Sequence, residues 1–155
     1  MSHVAVGMHR HIRSSLHKAV ADLSPDQLHA VPASFDNNIA WNLGHVLVVQ
    51  QRMVYGRCGL PLALPEEMIP LYLPGTSPAD WQEKPDARAL VEMLLSQQEK
   101  LEDDYQTGRF DGCTFQAYTT TSGVDIPDRS GGLIFNTYHE GLHYGAVQAL
   151  INCVG

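Results

Sequence analysis

Apolar residues recur at three- and four-residue steps in segments of the chain, the spacing that gives a helix one buried face. Val4, Met8, Ile12, Leu16, Val20 and Leu23 form one such stripe and predict a helix from Val4 to Leu23. Ser24-Pro25 ends it, because proline biases its predecessor away from the helical region. A second helix is predicted from Asp36 to Arg57, with Asp36 or Asn37 capping its orphan amides and Gly59-Leu60-Pro61 as its stop. A third is predicted from Ala87 to Gln106, capped by Asp86, with Leu90, Leu94, Leu101 and Tyr105 as its stripe. The fourth is predicted from Ser130 to Cys153.

Two long connections separate these helices. Residues 59–85 carry six prolines, and residues 107–129 include the β-forming run Thr114–Thr121, Ser122-Gly123 and Val124–Ile126. The second connection reads as a small ribbon turning at Ser122-Gly123. Connections of this length are often functional lids or crossovers, and a four-helix bundle with crossover connections tolerates them. The expected fold is therefore all-α, a four-helix bundle with long crossover loops, in one domain spanning residues 1–155. There is no internal repeat.

Charge refines this picture. Only 17% of the 155 residues are charged, against about 25% in an ordinary domain. No Asp, Glu, Lys or Arg occurs from Ile39 to Gln51, and only Glu140 occurs from Ser130 to Gly155. A helix apolar nearly all round is buried nearly all round. The second and fourth helices are accordingly expected to meet a second copy of the chain in a homodimer; the alternative is that the long loops cover them. The net charge of −7, without any Lys/Arg cluster, argues against nucleic acid and anionic membranes as partners. No apolar run approaches the roughly 20 residues of a membrane span. The three cysteines, Cys58, Cys113 and Cys153, form neither a CxxC motif nor a disulfide framework and read as reduced, buried thiols. Together with an N-terminal stretch lacking a secretory apolar segment, they point to a reducing cytoplasm.

The chemistry lies in the histidines. Of eight, His139 and His143 are four residues apart, which puts both imidazoles on one face of the fourth helix about 6 Å apart along the axis. His45, in the uncharged second helix, is the third candidate, since facing bundle helices build metal sites in their core. Three neutral imidazoles suit zinc, nickel, iron or copper and leave a coordination position open. The expected cofactor is a divalent metal, zinc or nickel first, then iron or manganese. Bound imidazoles compete with protons, so such a metal is expected to leave below a pH of about 6. The other histidines read as exposed or partly exposed.

His139-Glu140-Gly141-Leu142-His143 also spells the HExxH motif of zinc proteases. Residues 144–155 offer no further His, Asp or Glu as a ligand, and Ala149 stands where the extended form of that motif needs histidine. Glu140 and His143 make the ExxH of di-iron bundles, but Asn42 replaces the glutamate that a matching motif at His45 would need. Glu140 remains a candidate base or ligand-orienting group. Trp41, Asn42 and Arg52 are candidates for substrate binding. The first two lie about one turn before His45, and Arg52 lies seven residues after it, about 20° off its face, where a guanidinium suits an anion.

The stretch Asn38-Ile39-Ala40-Trp41-Asn42-Leu43-Gly44-His45 resembles the second-helix signature of the DinB-like (YfiT-like) superfamily, and Tyr138-His139-Glu140-Gly141-Leu142-His143-Tyr144-Gly145 resembles its fourth-helix signature. The chain departs at Ala146, where many members carry glutamine. The resemblance implies a four-helix bundle holding a divalent metal through His45, His139 and His143, often as a homodimer. It also implies a metal-dependent enzyme acting on a small-molecule substrate, since the superfamily includes transferases and isomerases that use low-molecular-weight thiols; metal-assisted hydrolysis is the other branch that an open three-histidine site allows. The alternative is a non-catalytic metal- or ligand-binding stress-response protein.

Overall fold

The computed structural model describes residues 3–155, with side chains from residue 4 onward. Its α-helices are α1 (His3–Val20), α2 (Pro25–His29), α3 (Ile39–Gln50), α4 (Ala87–Gln106) and α5 (Arg129–Val154). Helix α1 packs against α4 and α5, and α3 packs against the same two. The four long helices thus close a bundle in which α1 and α3 lie diagonally opposite. Among the described residues no helix is long and apolar enough to cross a membrane.

The third and fourth expected helices match α4 and α5 to within a residue at each end. Asp86 and Asp128 cap them by accepting from the backbone amides of the first turn. The first expected helix ends early. Its last turn closes through Leu23 N–H to Val20 O, and Ser24-Pro25 then starts a helix as well as stopping one. Ser24 Oγ accepts from Gln27 N while Gln27 Oε1 accepts from Ser24 N, with proline at the first helical position, where its missing donor does no harm.

The apolar stripe of α1 is only half correct. Leu16 and Val20 are buried, but Val4 and Met8 are 66% and 56% exposed. The buried stripe runs instead through Ala5, His9, Arg13, Leu16 and Val20, which is equally helical in spacing. Two polar residues inside it hid it from a reading based on hydrophobicity. His9, expected to be at least partly exposed, is 1% exposed.

The second expected helix begins at its true cap, Asn38, whose Oδ1 accepts from Trp41 N. It stays α-helical only to Gln50, then widens into a π turn over Gln51–Tyr55 and tightens into a 3-10 turn over Gly56–Cys58. Gly59, at φ 67°, takes the left-handed conformation that ends it. All residues of α3 are buried. Their cover is the proline-rich connection, whose 3-10 segment Glu66–Tyr72 packs along α3. The charge-free second helix is thus explained by the loop and not by a second copy. The exposed apolar side chains Ile134, Tyr138 and Leu142 lie on α5. The ribbon is shorter than its β-forming sequence suggests: β1 (Tyr118–Thr119) pairs antiparallel with β2 (Asp125–Ile126) around Gly123, at φ 83°.

The Tyr72 ring seats directly on Gly44, in the space a Cβ would fill. Gly44→Ala is expected to push the connection off α3 and to destabilise the protein by about 1–3 kcal/mol, the usual penalty of overpacking. A fall in Tm of about 2–4 °C per kcal/mol checks this; an unchanged Tm contradicts the contact.

Candidate metal centre

Helix α3 delivers His45, and α5 delivers His139 and His143. One nitrogen from each lies within 4.8 Å of the others. The ring centroids are 4.6–5.1 Å apart. His45 Nε2 faces His139 Nε2 at 3.2 Å. Two nitrogens bound tetrahedrally to one ion at about 2.0–2.1 Å stand about 3.3 Å apart, so this spacing fits a shared metal.

The neighbours fix which nitrogen is free. His45 Nδ1 lies 2.7 Å from the Tyr72 carbonyl oxygen. A carbonyl only accepts, so Nδ1 carries the proton and Nε2 keeps its lone pair. Two asparagines fix His143. Asn42 Nδ2 donates to the Asn38 carbonyl at 2.8 Å, which turns Asn42 Oδ1 toward His143 Nδ1, also at 2.8 Å. His143 Nδ1 therefore donates, and its Nε2 is free. Hydrogen bonds of this kind orient metal-binding imidazoles and raise their basicity. Trp41 stacks on His45 with centroids 4.6 Å apart and planes 14° from parallel, anchored by its indole N–H to Thr76 Oγ1 at 3.0 Å. His139 is the least restrained ligand: its Nδ1 is buried with no hydrogen-bond partner. The three histidines can hold a metal ion, and no carboxylate belongs to the cluster.

A family model described as the DinB superfamily matches residues 8–147, a span that takes in all three histidines. The chain belongs to the DinB superfamily. No curated protein matches it.

In this DinB-superfamily bundle Glu140 is a buried, paired carboxylate, unlike the free acid that HExxH suggests. It is fully buried. Arg13 Nε and Nη2 donate to its two oxygens at 2.6 and 2.7 Å, His9 Nε2 lies 2.9 Å from Oε1, and Asn136 Nδ2 donates to the same oxygen. Burial alone would raise its pKa, but the charges of Arg13 and His9 reverse that and hold the carboxyl well below the usual carboxylate range. His9 Nδ1 donates in turn to Gln98 on α4. Sequence reasoning missed Arg13 and His9; their one visible signal was polarity at positions 9 and 13, in step with Leu16 and Val20.

Beside the metal cluster opens a cleft of about 850 Å3, reached through His139. The end of the second helix supplies Arg52, Met53 and Arg57, α5 supplies Phe135, Tyr138 and Leu142, and the ribbon closes it with Gln116 and Tyr118–Ser122. Arg52 is exposed in this wall and makes no ion pair among the described residues. Arg57 lies over the Tyr118 ring, 4.0 Å from its centroid. Trp41 and Asn42, expected on substrate, touch the ligand histidines instead and do not line the cleft.

Burial, then the neighbouring imidazoles, push His139 down to about 4 and His143 down to about 3; burial also lowers His45. Bound metal is therefore expected to survive below the pH of about 6 that a free imidazole suggests. The metal-free protein should behave oppositely. From 6.5 downward the unfolded chain binds protons that the folded site refuses, so stability falls as pH falls. Between pH 6.5 and about 4.5, above the range where Glu140 adds its own loss, urea midpoints of the metal-free protein should decline, and His143→Gln should flatten the slope. An equal slope in the variant contradicts this.

Proposed function

We propose that the protein is a divalent-metal-dependent enzyme whose three-histidine site activates a thiol or a water against a small substrate held in the adjoining cleft. The observation that carries this reading is the convergence of three imidazoles, two of them oriented by hydrogen bonds and none joined by a carboxylate, at the edge of that cleft. A metal bound there supplies a Lewis acid that lowers the pKa of a thiol or water. The chain's own residues do the rest. The Tyr72 carbonyl and Asn42 hold His45 and His143 in their metal-binding tautomers. The Arg13 guanidinium neutralises Glu140, the carboxylate next to two ligands in the chain, so the site keeps the positive charge that favours a thiolate or hydroxide. Arg52, free at the cleft wall, is placed to grip an anionic group on the substrate. Zinc or nickel is the metal we expect. Thiol transfer is favoured over hydrolysis because the apolar wall of Met53, Leu62, Phe135 and Leu142 suits a soft, weakly hydrated nucleophile. The second reading, a non-catalytic metal-binding protein, rests on His139 Nδ1, left without a partner where a working ligand is usually oriented.

Metal analysis of protein purified without a histidine tag should find about one equivalent of divalent metal. His143→Ala should abolish it while the helical signal persists, and Asn42→Ala should weaken affinity by about 10–100-fold. Equal occupancy in His143→Ala removes this histidine from the site. A screen of electrophiles with low-molecular-weight thiols should show metal-dependent conjugation; turnover that persists without metal refutes the enzymatic reading.

We further propose a homodimer docked through the face that Met8 on α1 shares with Ile134, Tyr138 and Leu142 on α5, whose side chains are more than half exposed around a shallow apolar groove. Large exposed apolar patches mark association surfaces. Sedimentation should give twice the monomer mass, and Ile134→Glu should give monomer; a monomeric parent protein refutes the proposal.

A further inference from the structure

Cys58 and Cys113 lie 55 residues apart in the chain, yet their sulfur atoms are 2.7 Å apart. Both are free thiols. Cys58 ends the 3-10 turn that closes the second helix, and Cys113 begins the segment that leads into the ribbon. Backbone pairing already holds these two regions side by side: Gln116 N–H donates to the Arg57 carbonyl at 2.7 Å, and the Arg57 guanidinium covers the Tyr118 ring. A disulfide has its sulfurs about 2.05 Å apart, so closing the bond needs a shift of less than about 1 Å. Neither thiol belongs to the histidine cluster.

We propose that Cys58 and Cys113 form a reversible dithiol–disulfide pair, closed by exchange with a low-molecular-weight disulfide, that bolts the 113–126 wall of the cleft to the end of the second helix. The two thiols are unequal in a way that orders the steps. Cys113 is half-buried and meets the oxidant, whereas Cys58 is buried and sheltered. Burial, and then the Cys113 neighbour, push the Cys58 thiol up to about 12, so it reacts with little in solution. The Cys113 thiolate attacks the small disulfide, forming a mixed disulfide and expelling one thiolate, which takes up a proton. Cys58 then attacks the Cys113 sulfur, gives up its proton and displaces the second small thiol. One small disulfide is reduced to two thiols, and the protein loses two hydrogens. The product fixes the backbone next to Gln116, Tyr118 and the Thr119–Ser122 turn, all of which line the cleft. Cys153 is exposed and takes no part.

The test uses the full chain carrying Cys153→Ser, reduced, freed of reductant and incubated with glutathione disulfide at pH 8. Mass spectrometry should show loss of two hydrogens with no glutathione retained, both free thiols should vanish, and Tm should rise by about 5–10 °C, all reversed by dithiothreitol. With Cys58→Ser added, the glutathione should stay trapped on Cys113, because the resolving thiol is gone. Glutathione retained on the protein that has both cysteines, or thiols that stay free, overturns the pair. A disulfide that forms but leaves Tm unchanged or lower overturns its role as a bolt.

Discussion

One buried guanidinium ties the bundle together at the height of the metal centre. Arg13 leaves α1, takes both oxygens of Glu140 on α5 and donates through Nη2 to the Val46 carbonyl on α3 at 3.2 Å. It thus crosses the bundle diagonal. Glu140 lies between His139 and His143 in sequence, and Val46 directly follows His45. The three ligands therefore sit on the two helices that Arg13 links, α5 through an ion pair and α3 through a backbone carbonyl. Both partners are fully buried. Removing one charge from such a pair typically costs about 3–5 kcal/mol, because the other is left uncompensated. An apolar pair of equal volume packs as well or better, but it lacks the directional bonds that define how α5 is turned.

The cage around the ligands is built from outside as well as from within. The carbonyl that orients His45 belongs to the proline-rich connection, and the asparagine that orients His143 is itself held by the cap residue of α3. Gly44 matters because Tyr72 can deliver its carbonyl to His45 only when its ring settles against a helix with no side chain at that position. A connection that looks like a spacer in sequence is therefore a structural wall and a source of ligand geometry, the role expected where a long loop persists in a compact fold.

The bundle and the ligand trio were legible in the sequence because each rests on local spacing. Helices α4 and α5 have charged faces or strong caps, and His139 and His143 are four residues apart. What sequence could not show depends on partners far along the chain. Arg13 and Glu140 are separated by 127 residues, so Glu140 looks like a lone acid in an HExxH motif and Arg13 like a surface residue. The burial of α3 was legible, but not its cause, since a charge-free helix looks the same under a loop as under a second protein chain. The closeness of Cys58 and Cys113 was hidden likewise, by a separation of 55 residues. Within the second helix the widened turn at 51–55 carries no proline or glycine before Gly56, so nothing local announces it.

The cage and the cleft wall share very little. Asn38, Trp41, Asn42, Gly44, Tyr72 and the three imidazoles belong to the first; the ribbon and the end of the second helix belong to the second, and only His139 has a place in both. The ribbon segment is tied to the three-residue turn Gly56–Cys58 by a backbone bond, a stacked guanidinium and a pair of thiols, and it rests on the start of α5 through Phe115 and Ile126. Such an arrangement is modular. Descendants of this chain are free to rewrite what the pocket admits by altering the exposed residues within 116–125, while the machinery that grips the ion is inherited intact.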